Sequence, residues 1–324
     1  MQIIGNPNVN NTCNVQSPVS FNGYLGNEYV RAYGRHINLR HETAFFREAD
    51  TLEYIKDYLI RTFPNIAVKN ILIGACSTGE EGLSMKMIMN KVPSRIVAFD
   101  LGKVAIKRAK AGYYSISRPI DKTGEEYISN WGLSAYDDRF LAFDSSKKLT
   151  KKEVQYRKAF NKIFKEVKTD KSRKGILNRI KLFLNSFTEF HFIETDSKFF
   201  KLKGLRKLNY EYLQGDIRDL DKITNGEKFL AFTFRNAFYH LITTNDDFRM
   251  QLSEKQTREI LKRILPQINK ALEMKGLFAI GKNENEQVCD MILLTKMLKE
   301  YGFKESVFDS NQPYCHIWKK VREC

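Results

Sequence analysis

A buried strand that enters a helix through a turn of small residues constrains the fold of this 324-residue chain most. The segment from Ile71 to Gly82 reads ILIGACSTGEEG. Glycine in such a turn lets the backbone approach a ligand closely. Ser77 and Glu80 have the spacing of a capping box, which predicts that a helix begins there and presents its first amide groups to the ligand. The segment indicates a nucleotide-type site at the end of a buried strand.

The residues around this turn narrow the choice of ligand. The turn is not the dinucleotide motif G-x-G-x-x-G, and no lysine follows it as in a P-loop, so a phosphate-rich ligand is disfavoured. Asp100 ends the next strand, where an acid can accept hydrogen bonds from both hydroxyls of a ribose. S-adenosylmethionine has a ribose, a cationic sulfonium and an amino-acid tail. It therefore suits a site that has acids and no phosphate-binding cation, and we predict it as the cofactor. The alternative is an ordinary strand-to-helix turn with a surface aspartate.

Short apolar runs alternate with helical stretches after residue 69, a pattern typical of an α/β fold with a mostly parallel sheet. Predicted strands cover residues 70–74, 95–100, 209–213, 229–234 and 276–281, with a terminal pair near 307 and 316–318. Predicted helices cover residues 50–62, 81–89, 103–111, 257–272 and 293–300. Asp50 and Glu53 have the spacing of a second capping box. We expect one α/β domain over residues 69–324.

A long insertion interrupts this alternation between residues 115 and 208, because an ordinary crossover connection is much shorter. Residues 145–181 carry fourteen Lys or Arg and three Asp or Glu, a net +11 within a chain total of +16. Apolar stripes over residues 156–167 and 176–187 predict a pair of amphipathic helices with basic outer faces. One interpretation is a solvated helical hairpin. The other is a docking surface for an acidic protein, with nucleic acid as a weaker option because no nucleic-acid-binding motif is present.

The remaining segments show no sign of export, membrane insertion or metal binding. Residues 1–36 are rich in Asn and Gly and read as an irregular tail, followed by a short helical segment over 37–68. The start of the chain has no secretory signal and no apolar run is long enough to span a bilayer, so we expect a cytoplasmic protein without membrane insertion. Five widely spaced cysteines without a C-x-x-C pair predict free thiols and no metal site.

Five ordered motifs resemble those of the CheR family, the chemotaxis receptor methyltransferases. The segment Ala75 to Glu81 is similar to the family's A/G-C-S-T-G-E-E loop, and Thr43 to Glu48 is similar to its T-x-F-F-R-E. Asp100 followed by residues 109–114 resembles D-I-D and then A-x-x-G-x-Y. Residues 234–236 resemble C-R-N, and 277–284 resemble L-F-L-G-H-S-E. The resemblance implies a class I, Rossmann-like methyltransferase with a seven-stranded sheet and a small antiparallel subdomain inserted before the third strand.

The resemblance also implies a set of site residues. The implied cofactor-binding residues, which would hold S-adenosylmethionine and then the product S-adenosylhomocysteine, are Thr43, Arg47, Gly74, Ala75, Ser77, Thr78, Gly79, Glu80, Asp100, Asp216 and Arg235. The implied catalytic residues are Arg47, Arg235, Asn236, Tyr239 and His240. The family's active-site tyrosine falls where this chain has His240, with Tyr239 just before it, so which ring faces the substrate stays open.

The implied reaction is methyl transfer to a glutamate carboxylate of a chemoreceptor cytoplasmic domain or a related acidic signalling protein. Such a nucleophile is already anionic, so no general base is required, and we expect Arg47 or Arg235 to clamp the carboxylate. The family's amino-terminal helical domain is largely missing before Thr43. Two alternatives are an RNA methyltransferase recruited by the basic insert and a non-catalytic, cofactor-binding regulatory module. From the family we expect a monomer.

Overall fold

Strands and helices alternate along most of the chain in the computed structural model, which describes residues 27–32, 35–40, 43–119, 138–143, 148–167, 195–242, 252–281, 290–306 and 316–324. The strands are β1 (Asn27–Ala32), β2 (Arg35–Arg40), β3 (Lys69–Gly74), β4 (Ser94–Asp100), β5 (Tyr113–Pro119), β6 (Phe164–Glu166), β7 (Thr195–Leu202), β8 (Tyr210–Gln214), β9 (Phe229–Thr233), β10 (Leu272–Ala279), β11 (Phe303–Glu305) and β12 (Ile317–Lys320). The helices are α1 (Ala49–Thr62), α2 (Glu80–Ile88), α3 (Lys103–Ala111), α4 (Lys151–Ile163), α5 (Leu220–Thr224), α6 (Tyr239–Ile242), α7 (Glu254–Ala271) and α8 (Met291–Glu300).

Seven of these strands form one sheet in the order β11-β12-β10-β9-β3-β4-β8. Strand β3 pairs in parallel with β4 and β9, whereas β12 runs antiparallel to both β10 and β11. Numbered along the chain within this sheet, the order is 3-2-1-4-5-7-6. The chain reverses its direction of winding between β3 and β9, which is where open α/β sheets bind their ligands, outside the carboxyl ends of the strands. The predicted α/β fold with a seven-stranded, mostly parallel sheet is confirmed.

The apolar core lies on both faces of this sheet. Ile71 and Ile73 of β3 belong to one buried cluster, and Leu72 between them belongs to the other. This division follows from the two-residue period of a strand, since successive side chains point to opposite faces. Helices α7 and α8 supply much of the second cluster, whereas α1 and α2 contribute to the first. A strand buried on both faces explains why β3 reads as a continuous apolar run.

A small antiparallel sheet in the order β5-β7-β6 interrupts the main fold between α3 and β8. Helix α4 packs beside it and begins with a full capping box between Thr150 and Glu153. At the base of the sheet, the backbone amide of Leu202 donates to the carbonyl oxygen of Gly112 at 2.8 Å, so the chain enters and leaves the subdomain at adjacent points. Helix α4 corresponds to the first of the two basic amphipathic helices predicted from the sequence. The second, over 176–187, lies outside the described residues.

Before β3, the structure corrects the sequence interpretation in two places. Residues 27–40 form the antiparallel hairpin β1-β2, although the sequence predicts an irregular tail up to residue 36. Helix α1 has no capping box at Asp50, because Glu48 is its N-cap, in a left-handed conformation, and makes no side-chain cap. The carboxylate of Glu53 instead accepts hydrogen bonds from Tyr156 and Lys152 of α4. Residues 1–26 lie outside the described part of the chain.

Aromatic rings join the small subdomain to the segment that precedes α1. Phe45 makes edge-on contacts with Tyr114 of β5, Phe160 of α4 and Phe164 of β6, at centroid distances of 5.2–5.4 Å. Phe46 stacks on Tyr156 of α4 at 4.2 Å. Such pairs add to the free energy gained from burial alone. The segment from Thr43 to Glu48 is therefore fixed against the subdomain. Among the described residues, no helix is both long and apolar enough to cross a membrane.

The aromatic cluster predicts a large loss of stability when its central ring is removed. Phe160 is fully buried, so Phe160→Ala is expected to lower the free energy of unfolding by about 3–5 kcal/mol, from lost transfer energy and the cavity left behind. Chemical denaturation followed by circular dichroism measures the change. As a control, Ile292→Ala at a side chain 69% exposed on α8 is expected to change stability by about 0.5 kcal/mol or less. Equal effects at the two positions would contradict the packing described.

Candidate cofactor and active site

The turn between β3 and α2 forms one wall of a pocket at the carboxyl ends of the strands. Ala75, Cys76 and Ser77 line this pocket. Ala75 and Ser77 have positive φ angles of 51° and 50°, which non-glycine residues rarely adopt. Strained backbone of this kind persists only where the surrounding structure enforces it, and it clusters at functional sites. The local strain therefore favours this turn as a ligand-binding loop.

The start of α2 differs from the sequence prediction. Gly79 is the N-cap, with a φ of 99° and no side-chain cap, so the predicted capping box between Ser77 and Glu80 is wrong. The carboxylate of Glu80 accepts a hydrogen bond from the Thr78 hydroxyl at 2.6 Å instead. Glu80 is 4% exposed and lies behind the loop rather than on the pocket wall. It shapes the turn from within.

Asp100 lies against this loop, at the end of β4. Its carboxylate is 6% exposed and accepts hydrogen bonds from the backbone amides of Ser77 and Gly102, both at 2.7 Å. A carboxylate accepts hydrogen bonds only, which is the property that a ribose hydroxyl requires of its partner. The two amide bonds fix the orientation of the carboxylate. Asp100 is thus placed as the sequence predicts for a residue that holds a ribose.

Three buried tyrosines support the loop from below. The Tyr114 hydroxyl donates to the carbonyl oxygen of Thr78 at 3.0 Å and lies 3.5 Å from the Tyr212 hydroxyl. Gly79 and Gly82 leave room for this layer, since an added Cβ would lie 2.0 Å from the Tyr212 hydroxyl and 1.8 Å from the Tyr210 hydroxyl, respectively. Burial raises the pKa of all three tyrosines well above the usual value, so they remain protonated donors.

A buried ionic network forms the floor between the loop and the segment before α1. The Arg235 side chain is fully buried and forms ion pairs with Glu81 at 2.9 Å and Glu48 at 3.3 Å. Asn236 donates to Glu48 at 3.2 Å, and the Thr233 hydroxyl donates to Glu81 at 2.7 Å. Arg235 also donates to the backbone oxygen of Arg47 at 3.1 Å. The guanidinium predicted as a possible substrate clamp is therefore committed to two carboxylates of the protein.

Asp216, another residue that the resemblance implies for the cofactor, lines the pocket just after β8. Its carboxylate forms an ion pair with Arg218 at 2.8 Å and accepts from the Arg218 backbone amide at 2.9 Å. Burial raises the pKa of Asp216 above the usual value for an aspartate. The side chain lines the pocket, and the ion pair with Arg218 determines its orientation.

The pocket brings most of the predicted residues together around an empty volume of about 960 Å³ that includes its open mouth. Of the predicted set, it is lined by Thr43, Arg47, Ala75, Ser77, Asp100, Asp216, Arg235, Asn236 and His240. Gly74, Thr78, Gly79 and Glu80 lie behind its wall. The Tyr239 side chain lies outside the described part of the structure, so the choice between Tyr239 and His240 stays a prediction, although His240 is a lining residue.

Several lining residues were missed by the sequence analysis. They are Ala44, Cys76, Glu81, Phe99, Leu101, Gly215, Ile217, Phe234, Ala237 and Leu241. Glu81 could have been found, because it lies inside the loop motif and one helical residue beyond Glu80. The other missed residues could have been found because each is adjacent in sequence to a predicted site residue. Burial raises the pKa of the Cys76 thiol well above its usual value, reinforced by the charges of Asp100 and Glu81, so the thiol is neutral and unreactive.

The lining of the pocket fits S-adenosylmethionine in its chemistry. Asp100 offers a carboxylate to ribose hydroxyls, and Phe99, Leu101 and Ile217 offer apolar surface beside Asp216 for a base. The turn at Ala75 to Ser77 brings backbone close to the ligand. Among the described residues, no three His, Cys, Asp or Glu side chains are grouped so as to hold a metal ion.

Comparison with known proteins agrees with this interpretation. The strand order and the pocket define a class I, Rossmann-like methyltransferase that uses S-adenosylmethionine. The model of a family described as CheR methyltransferase, SAM binding domain, matches residues 41–166. Over these residues the chain is similar to that family. This match begins at the segment of Thr43 and ends at β6, so it includes the loop, Asp100 and part of the small subdomain.

The remaining comparisons give distant likenesses. No curated protein matches the chain in sequence. The rRNA methyltransferase aviRa from Streptomyces viridochromogenes is 12% identical over 78% of this chain and 80% of that one, with a TM-score of 0.37. MNMC2 from Aquifex aeolicus is 12% identical over 92% of this chain and 71% of that one, with a TM-score of 0.39. The CMeT domain of a citrinin polyketide synthase is 10% identical over 84% and 52%, with a TM-score of 0.38.

The buried network predicts that Arg235 is needed for stability. Arg235→Ala leaves the carboxylates of Glu48 and Glu81 buried without their cation, and the expected loss of unfolding free energy is about 3–5 kcal/mol. Arg95→Ala is the matched control, because Arg95 contacts two glutamates, Glu227 and Glu211, at the surface. Its expected loss is about 1 kcal/mol or less. Denaturant titration of both variants measures the difference, and similar losses would contradict the role given to Arg235.

The tyrosine layer predicts a weaker cofactor site when one hydroxyl is removed. Tyr114→Phe removes the hydrogen bond to the Thr78 carbonyl oxygen, and a loss of about 1 kcal/mol corresponds to about fivefold weaker binding of S-adenosylhomocysteine. Isothermal titration calorimetry measures this affinity. Tyr54→Phe removes a hydroxyl that bonds to Ser306, outside the pocket lining, and is expected to leave the affinity unchanged. An unchanged affinity in Tyr114→Phe would show that the loop does not depend on this hydroxyl.

Proposed function

We propose that this protein transfers a methyl group from S-adenosylmethionine to a glutamate carboxylate of an acidic protein, as in chemotaxis or a related signalling system. The observation that carries the proposal is the placement of Arg47. It lines the cofactor pocket from the segment Thr43 to Glu48, which resembles the family's T-x-F-F-R-E motif. A guanidinium matches the two oxygens of a carboxylate with parallel hydrogen bonds, so Arg47 is suited to bind the acceptor.

The structure of the segment supports a positioning role for Arg47. Phe45 and Phe46 on one side of it pack into the aromatic cluster, and Glu48 on the other side binds Arg235. The amide of Phe46 also donates to the Ser84 hydroxyl at 2.8 Å. Phe46 and Glu48 adopt positive φ angles of 59° and 49°, so the backbone on both sides of Arg47 is held in a strained conformation. A guanidinium on such a rigid segment can hold an acceptor in one orientation.

The chemistry needs little beyond this orientation. Bound S-adenosylmethionine supplies an electrophilic methyl group on a sulfonium, whose carbon–sulfur bond breaks as a carbon–oxygen bond to the acceptor forms. A glutamate carboxylate is already anionic at neutral pH, so the protein has no proton to remove. The carboxylates of the pocket agree with this scheme, since Glu81, Asp100 and Asp216 are bound to Arg235, backbone amides and Arg218, respectively. Holding the acceptor and excluding water remain the tasks of the chain.

We infer that the two arginines have different roles. Arg47 binds the acceptor, while Arg235 holds Glu48 and Glu81 and thereby fixes the Arg47 segment against the cofactor loop. The direct contact between the Arg235 guanidinium and the backbone oxygen of Arg47 supports this assignment. From the sequence alone, either arginine could have been the one that binds the substrate carboxylate.

Labelled cofactor tests the proposed activity. The protein is incubated with methyl-labelled S-adenosylmethionine and cell extract, and the pH is then raised. We expect protein-bound label that is released as methanol, because carboxyl methyl esters hydrolyse in base. Alkali-stable label on RNA would replace the proposal with an RNA methyltransferase, and no label together with intact S-adenosylhomocysteine binding would indicate a non-catalytic module.

Substitution of Arg47 tests its role in the same assay. Arg47→Ala is expected to lower ester formation about 100-fold, because the acceptor is no longer held in line with the methyl group. Arg61→Ala is the control, since Arg61 is exposed near the end of α1, the helix that follows the Arg47 segment, and donates to the backbone of its own turn. Calorimetry with S-adenosylhomocysteine shows whether the pocket is intact in both variants. Wild-type turnover in Arg47→Ala would remove this residue from the mechanism.

A further inference from the structure

Helix α4 presents a row of lysines to solvent along one face. Lys151, Lys158 and Lys162 are exposed, and their spacings of seven and four residues place them within about 40° of one another around the helix axis. We refer to these three residues as the lysine stripe. It extends about 16 Å along the helix, at 1.5 Å per residue. Lys165, also exposed, follows in β6.

The lysine stripe is not used to hold the fold together. Within the part of the chain that the structure describes, none of its three ammonium groups forms an ion pair or a hydrogen bond. Other lysines nearby do have structural roles. Lys152 pairs with Glu53 of α1, and Lys203 donates to the carbonyl oxygens of Asn161 and Lys162 near the end of α4. The stripe is therefore a positive surface without an internal partner among the described residues.

The opposite face of α4 contacts the segment that carries Arg47. Tyr156 stacks on Phe46 and donates to Glu53, and Phe160 meets Phe45 edge on. Only the width of the helix separates the lysine stripe from these rings. A partner bound to the stripe would lie on the subdomain that fixes the acceptor-binding segment, so docking and catalysis would share one rigid unit.

We propose that the lysine stripe docks an acidic helical segment of the protein substrate. This inference rests on the proposed function, in which the acceptor is a glutamate. It names the surface of this protein that would recognise the substrate residues around that glutamate. Glutamates spaced three, four and seven residues apart lie on one face of a helix. A partner helix laid along α4 can set such carboxylates opposite Lys151, Lys158 and Lys162. Methylation removes one negative charge per glutamate, so the stripe favours the unmethylated segment over its product.

The composition of the surface favours a protein over a nucleic acid. The stripe consists of lysines alone, whereas arginine is the residue of choice for bidentate phosphate recognition. Nucleic-acid surfaces also use exposed aromatic rings as stacking platforms. The residues exposed between the lysines are Lys152, Val154, Gln155 and Asn161, none of them aromatic. The aromatic rings of α4, at Tyr156 and Phe160, are packed against Phe46 and Phe45.

A peptide-binding experiment tests the proposal in the full chain. The probe is a fluorescent helical peptide with glutamates along one face, and a peptide with glutamine at the same positions is its control. At low salt we expect the glutamate peptide to bind more tightly than the glutamine peptide. Its binding is expected to weaken as the salt concentration rises. In the variant Lys151→Glu, Lys158→Glu, Lys162→Glu, binding is expected to weaken at least about tenfold.

Helix α3 offers a matched control for charge. Lys103, Lys107 and Lys110 are exposed, and they occupy the start, middle and end of α3 as the stripe does in α4. The triple change to glutamate there alters the net charge equally and is expected to leave peptide affinity within about twofold. Thermal unfolding and S-adenosylhomocysteine binding show that both variants are folded.

Three results would overturn the docking proposal. They are equal binding of the glutamate and glutamine peptides, equal losses in the two triple variants, and preferential binding of a single-stranded RNA of the same charge through the stripe. The binding assay does not require turnover. If the peptide binds through the stripe but no base-labile ester forms on any carboxylate, the docking surface stands and the proposed activity fails.

Discussion

The ion pairs of Arg235 with Glu48 and Glu81 are the interaction on which the site depends. They join three parts of the chain that are distant in sequence: the segment before α1, the start of α2 and the end of β9. Two carboxylates and one guanidinium are costly to remove from water, and this arrangement is tolerated because hydrogen bonds from Thr233 and Asn236 satisfy further lone pairs. The network determines where the Arg47 segment meets the cofactor loop, so the geometry of the pocket follows from it.

The small subdomain completes the site by packing and by one hydroxyl. Phe45 and Phe46 hold the Arg47 segment against α4, and Tyr114 of β5 reaches the carbonyl oxygen of Thr78 in the cofactor loop. The Arg47 segment and the cofactor loop thus contact the same inserted unit from two sides. A substrate that docks on this unit is held in a fixed relation to both, which is the condition for an in-line displacement.

Sequence reasoning predicted the sheet and the strand ends well, because they depend on local patterns. The apolar run from Ile71 to Gly74 and the aspartate at the end of β4 are visible in the sequence, and in the structure the turn that follows the run and the aspartate both line the pocket. The roles of charged side chains were harder to predict. Glu53 has the spacing of a cap but binds Lys152 and Tyr156, partners about 100 residues away whose positions no local pattern records. Arg235 likewise reads as a free active-site cation until its two buried partners are known.

The hydrogen bond between Leu202 and Gly112 has a consequence for how such proteins diversify. The inserted chain leaves and rejoins the main fold at adjacent points. The main sheet therefore need not change when the length of the insertion changes. The entropic cost of a longer loop grows only logarithmically with the number of residues. Evolution can therefore lengthen, shorten or recharge this appendage and redirect the enzyme toward new targets while the methyl-transfer machinery beneath it is inherited unchanged.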